Sequence, residues 1–390
     1  MVVCFDFETT SLNTGNPFTP SNKVVSYSLS IDGSEPEFHY YTDIEFWKAL
    51  KAAFKQATRI IGFNLKFDLS WASRYGIKVP DGCRIWDCQI AEFLISGQTN
   101  RYPSLKESLI RIGEEPKSDI LSEYLAMGLD TLDVPEEELK IYNNQDVRGT
   151  YKLAMHQLKE MPKDLQRLCS VQGMDLLVLQ EMEENGQLFD RELCDSLRGK
   201  AQERIGQLEG ILREYFPLRE GLNLGSGHHM SALLYGGYIE VDVVDEEIPM
   251  VYKSGAKKGQ EYIKRTWKTV GAEFPRLFNP LKRTETKLRI KNSRGEFPVY
   301  QAGVEQIQQL RPRNKQQKIL IETLLEHSKV AKLLDTYYVS LPELMDEMEW
   351  GDYLHGNFNQ TTAATGRLSS SKPNMQNFSG EVDELLVTRY

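Results

Sequence analysis

A mixed-sheet α/β fold is predicted for the first 160 residues. Two observations predict it. Short runs rich in β-branched and aromatic residues alternate with segments of helical spacing. Two of the early runs are separated only by the turn-forming stretch "IDGSEPE".

In chain order, residues 2–7 form a buried strand by composition, and residues 23–30 and 38–41 form two more. Residues 44–54 have helical spacing, and "RIIGF" is another short buried strand. Residues 64–74, 88–96 and 135–158 read as helices. The middle third changes character. Residues 174–182 are helical and end at the turn "ENG". Asp190 then caps a long segment with Leu193, Leu197, Ala201, Ile205, Leu208, Leu212 and Tyr215 on one face, stopped by Pro217. A second amphipathic segment, residues 316–338, carries Ile319, Leu320, Leu324, Val330, Leu333, Leu334 and Tyr337. Two such helices can pack antiparallel as a stalk, with hairpin-like alternation around "VYKSGAKKGQEYIKRTWKTV" between them.

The 390 residues suffice for two or three domains, with 26% charged and 40% hydrophobic residues as in ordinary globular chains. No run approaches a membrane span, and "MVVCFDFETT" has no signal-peptide pattern, so a cytoplasmic location is expected. The five cysteines, Cys4, Cys83, Cys88, Cys169 and Cys194, are scattered and fit a reducing compartment. His228 and His229 are expected at the surface or in a cap. The net charge of −9 is unevenly spread: residues 251–320 hold 17 Lys and Arg against 5 Asp and Glu. That local excess is either a stripe for phosphates or a partner, or a solvated loop region.

Chemistry concentrates in three short motifs. In "FDFETT", Asp6 and Glu8 are two apart on a strand, so both leave one face while Phe5 and Phe7 enter the core. In "NLKFD", Asn64 and Asp68 are four apart on a helix, and in "YNNQD" so are Tyr142 and Asp146. Each acid alone is a common surface or capping residue. Gathered together, four carboxylates repel, and two Mg²⁺ or Mn²⁺ ions would neutralise them. All-oxygen ligation favours these ions over zinc, and paired metals suit displacement at phosphorus. Tyr142, one turn before Asp146, is placed to orient an attacking water.

"DFETT", "NLKFD" and "YNNQD" resemble the three motifs of the DnaQ-like 3′–5′ exonucleases, which have an RNase H-like fold. The resemblance implies that Asp6, Glu8, Asp68 and Asp146 are metal ligands, with Tyr142 as the water-orienting residue of the proofreading branch. It implies contacts from Thr9, Leu12 and Asn64 to the 3′ end of single-stranded DNA. Asp87 in "WDCQ" matches an acidic position in relatives, but a core or capping role is as plausible.

Further on, "LLVLQEMEENGQLFD", "LNLGSGHHMSALLYG" and "HSKVAKLLDTYYVSLPELM" resemble the linker helix and thumb of family A DNA polymerases. "LHGNFNQTTAATGRLSSSKPNMQNF" resembles the segment opening the palm, which touches the primer–template duplex. Arg367, Gln376 and Asn377 would then meet DNA. The implied layout is an exonuclease at 1–160, then a mainly helical linker and thumb at 161–345 with a basic insertion at about 238–300. A truncated start of the palm follows at 346–390. The start at the exonuclease resembles phage layouts, placing the protein in a host cytoplasm.

Only "FSGEVDELLVTRY" follows the duplex-contact motif, so the palm and fingers active site is expected to be absent and synthesis by this chain alone impossible. A second chain or a missing C-terminal part would carry it. The truncated edge would otherwise leave unpaired strands, or the residues after about Gly351 would be disordered. The leading function is a proofreading exonuclease with a DNA-gripping thumb. The alternatives are a non-catalytic DNA-binding subunit that docks a palm–fingers chain, and a stand-alone RNA nuclease.

Overall fold

A computed structural model describes residues 1–115, 120–215, 222–251, 260–378 and 380–387. The chain forms two compact units, Met1–Arg191 with Leu341–Tyr390, and Glu192–Ser340.

In the first unit, strands β1 (Val2–Thr9), β2 (Val24–Ile31) and β3 (Glu37–Tyr40) are followed by α1 (Lys48–Gln56), β4 (Arg59–Gly62), α2 (Leu65–Arg74) and β5 (Arg84–Asp87). The sheet has the order β3-β2-β1-β4-β5. β1 is antiparallel to β2 and parallel to β4, so the expected mixed sheet is present with β1 at its centre. Alternation along β1 sets its two faces. Phe5 and Phe7 pack edge-on to one another at 5.3 Å, and Phe5 meets Phe54 of α1 at 5.2 Å. The chain continues through α3 (Cys88–Ile95), α4 (Leu105–Arg111), α5 (Ile120–Ala126), α6 (Glu136–Glu160) and α7 (Lys163–Asn185). α6 lies against β1, where Cys4 Sγ donates to the Val147 carbonyl at 3.6 Å. All five cysteines are free thiols.

α1 begins at Lys48 rather than residue 44, and Ile44 is fully exposed. α7 is much longer than its sequence pattern suggested. Cys169, Leu176 and Leu179 are buried, whereas Leu168, Val171, Met174, Val178 and Met182 are exposed. Apolar residues around both sides hide the single-stripe signature from which helices are read. β6 (Gln187–Phe189) follows.

The second unit contains α8 (Arg191–Leu212), α9 (Gly227–Tyr235), β7 (Gly237–Val251), β8 (Glu261–Phe274), β9 (Glu285–Asn292), β10 (Gly295–Tyr300), α10 (Val304–Gln308) and α11 (Lys315–Leu333). α8 and α11 are antiparallel: Arg204 donates to Glu326 at 2.7 and 2.9 Å, and Cys194 Sγ donates to the Tyr338 carbonyl at 3.6 Å. The stalk expected from the two amphipathic patterns is therefore formed. His228 is exposed, and His229 Nδ1 accepts from the Asn223 N–H at 2.9 Å. Pro217 lies outside the described residues, as does the 252–259 connection between β7 and β8.

Two features differ from expectation. The expected hairpin is present as the antiparallel ribbon β7–β8, and a second ribbon, β9–β10, was not expected, so helices account for only part of this unit. The basic stripe is also partly neutralised. Lys268 pairs with Asp245 at 2.6 Å, Arg265 with Glu247 at 2.9 Å and Arg294 with Glu273 at 2.7 Å. The acids of β7 fall just before residue 251, so a count starting there misses the strand that answers the charge.

The chain then returns to the first unit through α12 (Ser340–Glu347), β11 (Tyr353–Leu354), β12 (Asn357–Asn359), β13 (Ser369–Ser371), α13 (Gly380–Asp383) and β14 (Leu386–Val387). β11 and β14 both pair with β6, and β12 pairs with β13. The expectation of unpaired strands or disorder after Gly351 is corrected by these pairings over the described residues. β6, from the end of the linker, supplies the missing hydrogen bonds. Among the described residues, no helix is long and apolar enough to cross a membrane.

Candidate metal centre

Asp6 and Glu8 leave β1 on the face opposite Phe5 and Phe7, toward α6. One carboxylate oxygen from each of Asp6, Glu8 and Asp146 lies within 4.8 Å of the others. Glu8 and Asp146 are buried and Asp6 is half-buried. Asn143, one turn before Asp146, donates from Nδ2 to Asp6 Oδ2 at 2.9 Å and to the Asp6 carbonyl at 3.3 Å. Ser28 Oγ donates to Asn144 Oδ1 at 2.7 Å, fastening α6 to β2. Two adjacent residues of α6, just before Asp146, thus tie it to β1 and β2.

Asp68 stands beside this trio rather than within it. Its Oδ1 accepts the Phe7 N–H at 3.1 Å, between Asp6 and Glu8 on the strand. Burial, and then the charge of Asp6, push its carboxyl well above the usual range. Tyr142 is 8% exposed and sits one turn N-terminal to Asp146 on α6.

Asp87 has a different role. Its Oδ1 accepts from the N–H groups of Gln89 and Ile90 at 2.8 and 3.1 Å, capping α3. Its Oδ2 accepts the Leu65 N–H at 2.7 Å, at the start of α2. Of the two roles left open by the sequence, capping is the one observed.

Thr9 ends β1, and Leu12, 47% exposed, opens the turn Leu12–Gly15 that follows it. The loop is fastened from several directions. Ser11 donates from N and Oγ to Asp130 Oδ2 at 2.8 and 2.6 Å, and Trp71 Nε1 donates to the Gly15 carbonyl at 3.1 Å. Gly15 has φ +68°, and a Cβ there would stand 2.3 Å from Thr9 Oγ1. Asn64 is exposed in a left-handed conformation at the start of α2. With Asn13, Lys66 and Phe67 it lines a cleft of about 580 Å³ whose opposite wall includes residues 355–361. Asn143, Asp130 and Trp71 escaped the sequence reading. Asn143 lies inside "YNNQD", where its distance of three from Asp146 was available as a signal.

Arg367, Gln376 and Asn377 are all exposed. Arg367 lies in the loop between β12 and β13, and the other two lie in the turn Met375–Asn377. Gln376 Nε2 donates to the Leu368 carbonyl at 3.1 Å, bracing its own loop. These residues sit on different elements from the carboxylates.

Residues 276–388 match the model of DNA polymerase family A. DNA polymerase I of Synechocystis sp. is 25% identical over 323 residues, 80% of this chain and 26% of that protein. DNA polymerase I of Pseudomonas aeruginosa is 22% identical over 96% of this chain and 36% of its own length. The thermostable DNA polymerase I of Thermus thermophilus is 48% identical over 58 residues, 15% of this chain and 7% of that enzyme. The chain thus spans about a quarter to a third of the length of the longer matches. Among solved structures, the POL domain of Pol1 from M. smegmatis, in complex with DNA primer-template and dNTP, superposes with a TM-score of 0.63 at 17% identity. That likeness covers 97% of this chain and 52% of the other.

The expectation that the palm and fingers are absent but for a truncated palm edge at 346–390 is corrected in part. The match to the family model runs over residues 276–388 and so is not confined to that edge. Over residues 276–388 the chain matches the family A DNA polymerases in sequence, and its fold is similar to that of a polymerase POL domain.

Proposed function

We propose that the first unit is a 3′–5′ exonuclease that removes nucleotides from single-stranded DNA ends. The observation that carries this reading is the convergence of Asp6, Glu8 and Asp146 within 4.8 Å, with Asp68 against the same strand. The order β3-β2-β1-β4-β5, with β1 central, supports an RNase H-like sheet beneath them.

The donor set fits divalent cations. It is all oxygen, suited to Mg²⁺ or Mn²⁺. Burial, and then the charge of Asp6, hold Asp68 toward its protonated form, as expected of a cation-free carboxylate cluster. Asp6, Glu8, Asp68 and Asp146 would hold the ions. When bound, two such ions activate water and stabilise the charge that develops at phosphorus. The chain's own residues do the rest. Asn143 fixes the rotamer of Asp6. Tyr142 orients the attacking water through its hydroxyl. Leu12 packs on the terminal base, and Thr9 and Asn64 hydrogen-bond the last nucleotide.

The family match at 276–388 supports a second role in gripping a primer–template duplex, with Arg367, Gln376 and Asn377 as contacts. The structural neighbour is itself a complex with DNA primer-template. Proofreading for a polymerase joins the two roles, in the cytoplasm of whichever cell holds the DNA.

Asp6→Ala and Asp146→Ala are expected to lower Mg²⁺-dependent release of mononucleotides by about a thousandfold or more. Circular dichroism and single-strand affinity should change little. Undiminished release by either variant would remove that residue from the site.

A further inference from the structure

Lys66 and Glu183 form an ion pair almost sealed from solvent, with side chains 14% and 6% exposed. Lys66 precedes Asp68 by two residues on α2, so the two side chains leave the helix about 200° apart. Asp68 faces β1, and Lys66 lines the cleft. Besides Glu183 of α7, the Lys66 ammonium donates to the Phe358 carbonyl at 2.5 Å and to Asn357 Oδ1 at 3.2 Å. Glu183 Oε1 accepts the Phe358 N–H at 2.5 Å, and the Glu183 carbonyl meets His355 Nδ1 at 2.7 Å. One buried charge pair therefore joins α2, α7 and residues 355–358. A buried pair is satisfied only in the geometry that pairs every group, so the arrangement specifies one register of the three segments.

We propose that Glu183 is a positioning residue which, through Lys66, fixes α2 to the 355–358 wall of the cleft. α2 is a rigid bar with Asp68 on one side and Lys66 on the other. Asp68 is held to β1 by the Phe7 N–H independently of Lys66, so loosening the Lys66 side opens the cleft wall while the carboxylates keep their places. The functional consequence rests on the exonuclease reading. A polynucleotide must lie along the cleft, whereas a small phosphodiester needs only the carboxylates.

The test uses the full chain as wild type, Glu183→Gln and Glu183→Asp. Glutamine keeps the shape and an acceptor for Phe358 but removes the charge. Hydrogen exchange is followed in α2 and in residues 355–358. The values of kcat and KM are measured for single-stranded oligothymidylate and for thymidine 5′-p-nitrophenyl phosphate. In Glu183→Gln, exchange should rise about threefold or more in both segments together. KM for the oligonucleotide should rise about tenfold, with turnover of the small ester within about twofold of wild type. Glu183→Asp should lie between the two, and it carries the test if Glu183→Gln does not fold. Exchange that rises only at 355–358, or equal losses on both substrates, overturns the proposal. If wild type hydrolyses neither substrate, the exonuclease reading falls and the exchange measurement alone decides the coupling.

Discussion

Asp87 illustrates what a single carboxylate does when its surroundings are known. Its two oxygens answer three N–H groups at the starts of α2 and α3. Its spacing in "WDCQ" does not distinguish a metal ligand from a cap, because both uses ask for an acid at a strand end. Asp87→Ala removes the α3 cap, about 0.5–2 kcal/mol. It also leaves the buried Leu65 N–H without an acceptor, about 1–3 kcal/mol. The expected loss is about 2–4 kcal/mol in urea denaturation, only partly recovered in Asp87→Asn, whose single carbonyl oxygen can answer the α3 cap or the Leu65 N–H but not both. A loss below 0.5 kcal/mol would contradict the double-tie assignment. Asp6, Glu8 and Asp146 were legible because strand and helix periodicity dictate which face each acid takes. That Asp68 stands beside the trio was not legible, since it depends on how α2 is set against β1.

Among the elements, the linker helix α7 carries more than its sequence suggested. It ends at Gly186, with φ 60° and ψ 179°, a conformation open almost only to glycine. A Cβ there would lie 2.9 Å from His355 Cε1. Gly186→Ala should therefore destabilise the first unit by about 1–3 kcal/mol, with loss of amide protection at β6 and β11. An unchanged melting midpoint would show that the turn relaxes freely. Four strands of the sheet were readable from β-branched and aromatic runs, within a few residues, whereas β5 was not read. The pairing of β11 and β14 with β6 was not, because the partners are separated by well over a hundred residues. The same distance effect hid the neutralisation of the basic stripe: an acidic strand and a basic strand look like separate regions until a hairpin joins them.

For the molecule as a whole, the compact units do not follow the chain order of its motifs. The five-stranded sheet, α7 and the C-terminal hairpins share one unit, and the stalk with its ribbons forms the other. The resemblance of the motifs in sequence could not reveal this grouping, which is a property of long-range contacts. The central claim is that the first unit hydrolyses DNA from its 3′ end with divalent cations held by its carboxylates. Its most direct test is single-turnover digestion of a 5′-labelled single strand by the full chain, with Mg²⁺ or with EDTA. The account predicts a ladder shortening one nucleotide at a time from the 3′ end, released as 5′-monophosphates, absent with EDTA and in Asp146→Ala. No shortening by wild type, or shortening that persists with EDTA, would contradict it.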